Sequence, residues 1–296
     1  MDLPPLGFGC APIGSLFEPV SDVQAEETLR HAWDAGIRYF DTAPLYGLGS
    51  AERRLGSLLR DKPRDDYVLS TKVGRLIRDG ARSPDPTSWT EFDFDFSYDG
   101  VMRSVEASLE RLDLDRIDIL LIHDPDDHHD EAITGAYNAL DLLRHEGTIA
   151  AFGAGMNQTE MLVRFAREGR FDCFLVAGRY TLLDRSASSE LLPLCEERGV
   201  AVIAGGVFNS GLLAGGSTYD YAPASAELVE RVRQLNNICF RHGVPLKAAA
   251  LQFPYRHPMV ASVLTGARSP AEIDENARLF SEELPPELWA ELEAVR

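Results

Sequence analysis

The sequence predicts a closed (β/α)8 barrel, a single domain over residues 1–296. Three observations carry that expectation. Eight short apolar runs alternate with stretches of helical periodicity along one continuous chain. The runs are apolar on consecutive positions, as strands of a parallel sheet covered on both faces are. The 296 residues hold all eight units with no Pro/Gly-rich linker between them, which suits a closed barrel better than an open doubly wound sheet.

Leu6-Gly7-Phe8-Gly9-Cys10 is the first strand, and Pro12 and Gly14 open the loop after it. Ser21 starts a helix as N-cap, with Gln24 three residues on as its capping-box partner. Ala25, Leu29, Ala32 and Trp33 share one face of that helix, and Gly36 stops it. The second strand is Arg38-Tyr39-Phe40-Asp41, followed by a turn through Pro44 and Gly47. A helix over 50–60 turns Leu55, Leu58 and Leu59 inward and ends before Pro63. The third strand, Val68-Leu69-Ser70-Thr71-Lys72, follows it.

Residues 78–97 interrupt the alternation with a long polar segment carrying Pro84, Pro86, Trp89 and the run Phe92-Asp93-Phe94-Asp95-Phe96. Loops of this length in compact domains are functional or disordered, and the alternating phenylalanines suggest a flap over a site. A helix then runs through Val101, Val105, Leu109 and Leu112 to a strand ending Leu121-Ile122-His123. A helix over 131–146 leads to the strand 149–155. A helix over 159–168, a strand over 173–177, a helix over 188–198 and a strand over 200–204 continue the pattern. Helices over 225–242 and 245–255, the second with proline at its first position, precede the last strand at 260–265. Two helical pieces end the sequence.

Composition narrows the function classes. A net charge of −18 argues against nucleic acid and an anionic membrane surface as partners. It leaves room for an anionic cofactor bound by backbone N–H groups and a local arginine. No apolar run nears the roughly 20 residues that span a bilayer. Residues 1–5 have neither the basic start nor the apolar stretch of a signal peptide. Cys10, Cys173, Cys195 and Cys239 lie far apart without metal-ligand spacing. They read as buried free thiols in a reducing cytoplasm. The acidic, histidine-bearing run Asp124-Pro125-Asp126-Asp127-His128-His129 lacks a second clustered histidine set, so no metal is expected there. Oligomeric state is open.

Three strands end in polar residues with complementary chemistry. Asp41, Lys72 and His123 close successive apolar runs, and Tyr46 sits in the loop after Asp41. In a barrel the carboxyl ends of the strands gather distant residues on one rim. A free phenol titrates near ~10, and a neighbouring Lys72 ammonium should lower that value. Asp41 would hold Lys72 charged, and His123 could hydrogen-bond a substrate oxygen or relay a proton. Taken singly, Asp41 is a cap or turn residue, Tyr46 a turn residue and Lys72 a solvated strand end. The joint pattern points to moving a proton on or off an oxygen.

Phe40-Asp41-Thr42-Ala43-Pro44-Leu45-Tyr46-Gly47, Ser70-Thr71-Lys72-Val73-Gly74 and Leu121-Ile122-His123 resemble, in order and spacing, the signature of the aldo-keto reductases. The resemblance covers residues 6–279. It implies a barrel that binds NAD(P)(H) in extended form, Tyr46 as general acid/base, Lys72 and Asp41 tuning it, and His123 orienting the substrate. By the same likeness, Asn157 binds the nicotinamide carboxamide, with Met156 in place of the family's usual serine. Gly205-Gly206 stands where a stacking aromatic is common, leaving Phe208 or Arg179 to substitute. Ser210, Gly211 and Leu213 match the pyrophosphate loop. Gly266, Arg268, Glu272, Glu275 and Asn276 match the adenosine-binding segment. Glu272 stands where NADP-selective members often have arginine, which implies NAD as the preferred cofactor, with NADP the alternative through Arg268.

The stretches 96–104, 153–158 and 204–211 resemble the aldose 1-dehydrogenase branch of that family. This implies oxidation of a sugar hemiacetal (L-fucose or D-threo-aldose type) at C1 to its lactone. The alternatives are NADPH-dependent aldehyde or ketone reduction, pyridoxal oxidation, and a nucleotide-sensing regulatory barrel. The family's C-terminal tail, which often lines the substrate pocket, is short or missing by this reading.

Overall fold

A computed structural model describes residues 2–16, 18–81 and 90–295. Among the described residues, twelve strands run in chain order as β1 (Leu6–Gly9), β2 (Tyr39–Asp41), β3 (Val68–Val73), β4 (Arg75–Ile77), β5 (Phe92–Phe94), β6 (Ile119–His123), β7 (Ala151–Met156), β8 (Cys173–Ala177), β9 (Ala201–Gly205), β10 (Thr218–Tyr219), β11 (Ala222–Pro223) and β12 (Val260–Thr265). Eight of them close a parallel barrel in the order β1-β12-β9-β8-β7-β6-β3-β2. These are the eight strands expected from the sequence. The β4–β5 and β10–β11 pairs are antiparallel hairpins outside the barrel, and neither was foreseen.

Strand alternation divides the barrel into two packed regions. Tyr39, Ile119, Leu121, Ala151, Cys173, Leu175, Ala201, Ile203 and Leu264 fill the interior, with Leu3 among them. Phe8, Phe40, Leu69, Leu120, Ile122, Phe152, Phe174 and Val202 point outward into the helical layer. Phe40 stacks on Trp33 of the first helix at 6.5 Å between ring centroids. All four cysteines are buried and free. Among the described residues no helix is long and apolar enough to cross a membrane.

Helix starts follow local chemistry. The Ser21 hydroxyl accepts from the Gln24 amide N–H, and Ser97, Ser225 and Ser269 cap their helices in the same way. The reciprocal half of the expected capping box is not made. Gln24 donates its side-chain amide to the Arg268 carbonyl instead, at 2.9 Å, because the loop after β12 packs beside this helix. Pro245 is the N-cap of Leu246–Gln252 rather than its first residue. The helix expected over 131–146 begins with a single turn, His129–Glu131, and widens to a π-helical stretch at Ala132–Ala136 before Tyr137–His145. A Cβ on Gly135 would stand 2.3 Å from the Phe96 carbonyl oxygen, so that stretch lies directly against the loop chain.

The described part of the 78–97 segment packs beside the end of β3. Phe92–Phe94 pairs with Arg75–Ile77, and Phe96 is fully buried. Pro84, Pro86 and Trp89, also expected in a flap, lie outside the described residues.

Gly153 marks the tightest approach between strands. A Cβ placed there stands 1.8 Å from the Cys173 carbonyl oxygen, whereas one on Gly155 has nothing closer than 3.6 Å. Gly153→Ala is therefore predicted to destabilise the fold by about 2 kcal/mol or more in denaturant unfolding, and Gly155→Ala by much less. Equal midpoints for both variants would contradict this packing.

Candidate active site

Register and alternation bring the expected residues together. On β2, Tyr39 and Asp41 share a face. On β3, Ser70 and Lys72 share one, and on β6 Ile119, Leu121 and His123 do. Tyr39, Ile119 and Leu121 point into the barrel, so Asp41, Lys72 and His123 point the same way one step nearer the carboxyl end. Asp41 pairs with Ser70, and Lys72 with Leu121. All three polar residues are buried, at 3%, 2% and 6% exposure.

Lys72 Nζ donates to Asp41 Oδ2 at 2.7 Å and to the Thr42 carbonyl at 2.8 Å. Asp41 Oδ1 accepts from the Ser70 hydroxyl at 2.7 Å, and the Tyr39 hydroxyl lies 3.1 Å from that of Ser70. Ser70 thus belongs to the cluster. Sequence reading missed it, although its i, i+2 spacing from Lys72 on one strand face was a usable signal. On the outer face of β3, Thr71 donates to buried Glu52, which also pairs with Arg111 at 2.6 Å. Both faces of the strand that carries Lys72 are therefore anchored.

Tyr46 reaches the cluster from the loop after β2. Its ring lies 4.7 Å from Lys72 Nζ and edge-on to His123 at 5.9 Å, and Lys72 hydrogen-bonds its hydroxyl. The expectation that Lys72 would bring this phenol below its usual value is not met. Burial raises it, Lys72 pulls it back, and the phenol is pushed up to about 12. Lys72 is drawn down by burial, but Asp41 and Tyr46 outweigh that and hold it above its ordinary value. Burial, reinforced by Arg75 and Lys72, keeps the His123 imidazole well below its usual value. At neutral pH the site therefore holds a neutral phenol, an ammonium and a neutral imidazole. His128 and His129 have other neighbours: His128 packs at a tilt against Phe94 and Phe96, and His129 stacks on Phe165.

A groove of about 720 Å³ runs along the same end of the barrel, between the chain after β9 and the chain after β12. Ser210, Gly211, Gly266, Arg268, Glu272, Glu275 and Asn276 line it. Leu213 is buried in the core and Gly205 ends β9, so neither lines the groove; Gly206 and Phe208 do. No aromatic fits at 206, because the backbone there is left-handed (φ +61°) and a Cβ would stand 2.9 Å from Gly178 N. Asn157 is exposed just after β7, where its carbonyl accepts from Arg179 Nε at 2.7 Å. Arg179 is also paired with Asp184 and Asp220.

Lys247 lines the groove too, paired with Glu275. It was missed because nothing local marks a helix lysine as facing a cleft. Arg268 pairs with Glu18 at 2.5 Å, and Glu272 accepts from the Arg268 amide at 2.8 Å. Asn276 presents a buried side-chain oxygen that has no hydrogen-bond partner. Cations, left-handed backbone at Asn209, Ser210 and Gly211 and an unanswered amide oxygen suit an elongated, phosphate-bearing, hydrogen-bonding ligand.

The match to known proteins agrees with this layout. The model of the aldo/keto reductase family matches residues 5–296. The chain belongs to the aldo-keto reductase family. It is 44% identical to a D-threo-aldose 1-dehydrogenase of Pseudomonas sp, over 99% of this chain and 94% of that one. It is equally identical to a pyridoxal 4-dehydrogenase of Microbacterium luteolum, over 97% and 92%. Among solved structures it is similar to an aldo-keto reductase from Bacillus halodurans, with a TM-score of 0.79 and 26% identity over 98% of this chain and 91% of that one. The reductase is accordingly an oxidoreductase of small molecules, and enzymes of this family use NAD(P)H.

Breaking the Lys72–Asp41 pair should leave a buried charge unanswered. Lys72→Met is predicted to lower unfolding stability by about 3–5 kcal/mol. The double variant Lys72→Met/Asp41→Asn should recover part of that loss, because it removes both charges. A double variant as unstable as the two single losses summed would show that the pair is not coupled.

Proposed function

We propose that this reductase oxidises an aldose at C1 to its lactone, with NAD as the preferred cofactor. The observation that supports the reading is the Tyr46–Lys72–Asp41–His123 cluster at the same end of the barrel as the groove of about 720 Å³, in a chain 44% identical to an aldose 1-dehydrogenase. Ser210, Gly211 and Lys247 would hold the pyrophosphate, Asn157 the carboxamide, and Gly266, Arg268, Glu272, Glu275 and Asn276 the adenosine. When bound, the nicotinamide supplies the acceptor or donor of hydride at carbon.

The chain's own residues handle the proton. Tyr46 takes the proton of the anomeric hydroxyl as general base, and returns one as general acid in the reverse direction. Lys72, kept charged by Asp41, stabilises the phenolate that forms. A neutral His123 has one N–H to offer the substrate oxygen and adds no charge of its own. A phenol pushed up to about 12 is mostly protonated at neutral pH, so it is ready as an acid and scarce as a base. Oxidation should therefore accelerate as pH rises through the alkaline range, while reduction should not.

Initial rates with L-fucose, NAD⁺ and NADP⁺ from pH 7 to 10.5 test this. NADH formation that climbs with pH supports the reading. A flat oxidation profile would remove Tyr46 from the proton step. Tyr46→Phe, folded as judged by circular dichroism, should lose about 10²-fold or more in kcat.

The carboxylate of Glu272 faces the adenosine end of the groove and disfavours a 2′-phosphate there. Glu272→Gln is expected to raise kcat/KM for NADP relative to NAD by about tenfold, the size of one modest charge repulsion. An unchanged ratio would locate cofactor choice elsewhere. The equal identity to a pyridoxal 4-dehydrogenase favours pyridoxal as a second substrate to assay. Multiple turnovers by the purified protein separate both readings from a nucleotide-sensing barrel.

A further inference from the structure

A second ion pair stands at the mouth of the barrel, beside the one that holds Lys72. Arg75 opens β4 directly after Gly74, and Asp124 directly follows His123 at the end of β6. Arg75 Nη2 donates to Asp124 Oδ2 at 2.8 Å. The same carboxylate oxygen lies 3.6 Å from His123 Nε2. The proton chemistry assigned to Tyr46, Lys72, Asp41 and His123 uses neither residue.

The local structure holds this pair in place and leaves part of its bonding capacity unused. The two side chains are 15% and 24% exposed. The guanidinium lies 5.2 and 5.4 Å from the Phe92 and Phe94 ring centroids, so the β4–β5 hairpin fixes its position. Its Nε is buried without a hydrogen-bond partner, and a guanidinium carries five donors. Gly74 makes the turn that returns Arg75 to the mouth: its φ is +101°, and a Cβ there would stand 2.0 Å from the Phe96 ring. Asp124 itself has φ +40°, a left-handed conformation that concentrates at functional sites.

We propose that Arg75 and Asp124 form a substrate subsite that hydrogen-bonds a hydroxyl on the carbon next to the reacting one, the guanidinium donating and the carboxylate accepting. This rests on the reading above in placing the reacting oxygen at His123. A vicinal hydroxyl lies about one hydrogen-bond length from that oxygen, and the Asp124 carboxylate lies 3.6 Å from the His123 nitrogen on the same rim. The ligand class is α-hydroxy carbonyl compounds and the cyclic hemiacetals of sugars. An aldehyde lacking the hydroxyl leaves unused the donors and lone pairs that the Arg75–Asp124 pair does not spend on itself, which is how a polar site rejects an analogue.

The surroundings of Asp124 set the pH range of this discrimination. Burial raises its carboxyl, Arg75 on β4 and Lys72 on β3 lower it, Asp126 raises it, and it stands at about 6. His123 opposite is neutral, and Tyr221 on the β10–β11 hairpin feels the Asp124 charge. The carboxylate is the acceptor above that value and is protonated below it, so the preference for hydroxylated substrates should decline below pH 6.

The test is the ratio of kcat/KM for DL-glyceraldehyde to that for propanal, reduced with NADH by the full chain, together with L-fucose oxidation. The wild type should prefer glyceraldehyde. Asp124→Asn and Arg75→Met should each cut the ratio by about tenfold or more, mainly through the KM for glyceraldehyde. Arg75→Lys should restore part of the ratio, and the wild-type ratio should fall below pH 6 while that of Asp124→Asn stays level. If both aldehydes lose activity in parallel in either variant, the pair only anchors the hairpin and the proposal is wrong. An unchanged ratio overturns it as well. A wild type that ignores L-fucose yet prefers glyceraldehyde, with the preference lost in the variants, refutes the aldose reading and supports the subsite. L-fucose oxidation untouched by Asp124→Asn does the reverse.

Discussion

The buried Lys72–Asp41 ion pair is the constraint around which the rest of the site is arranged. An ammonium and a carboxylate taken out of water at 2% and 3% exposure would be strongly unfavourable unless each found its partners. The barrel supplies them. Asp41 and Lys72 lie on adjacent strands, Ser70 completes the carboxylate and the Thr42 carbonyl takes a second ammonium hydrogen. Glu52, Thr71 and Arg111 brace the opposite face of β3. A charge is thereby fixed where a phenol can use it, at the end of the strands where barrel enzymes work.

Burial then sets the charge state of the neighbours. The same dry rim that makes Asp41 and Lys72 depend on each other raises Tyr46 and lowers His123. Desolvation pushes an acid up and a base down, so both become neutral. An ammonium paired with a carboxylate and flanked by a neutral phenol and a neutral imidazole fits the proposed stabilisation of negative charge on oxygen. The groove carries Arg268 and Lys247, each paired with a glutamate, so cations stand along it in a protein of net charge −18.

Much of this was legible in the chain. The eight strands were readable because buried parallel strands are continuous apolar runs and their polar endings stand out. Asp41, Lys72 and His123 were found by that signal, and Tyr46 by its loop. Ser70 was concealed because a serine inside an apolar strand looks like an ordinary strand residue. The β4–β5 and β10–β11 hairpins were hidden by their short length, two or three residues to a strand. Lys247 gave no sign, since a lysine early in a helix is ordinarily solvated. The Tyr46 phenol was misjudged because sequence names its cationic neighbour but not how much water the fold removes.

The sequence by itself determined the alternation of elements, hence the barrel, and which chemical groups stand at the strand ends. Those properties are local: periodicity, apolar runs, turn residues and caps are written within a few positions of one another. Tertiary structure decided the register that puts Asp41 beside Ser70 and Lys72 beside Leu121. It also decided the pairing of Arg75 with Asp124 across 49 positions and the direction in which each titrating group moves. Those depend on distance and on exclusion of water, and both exist only once strands far apart in the chain have closed into one ring.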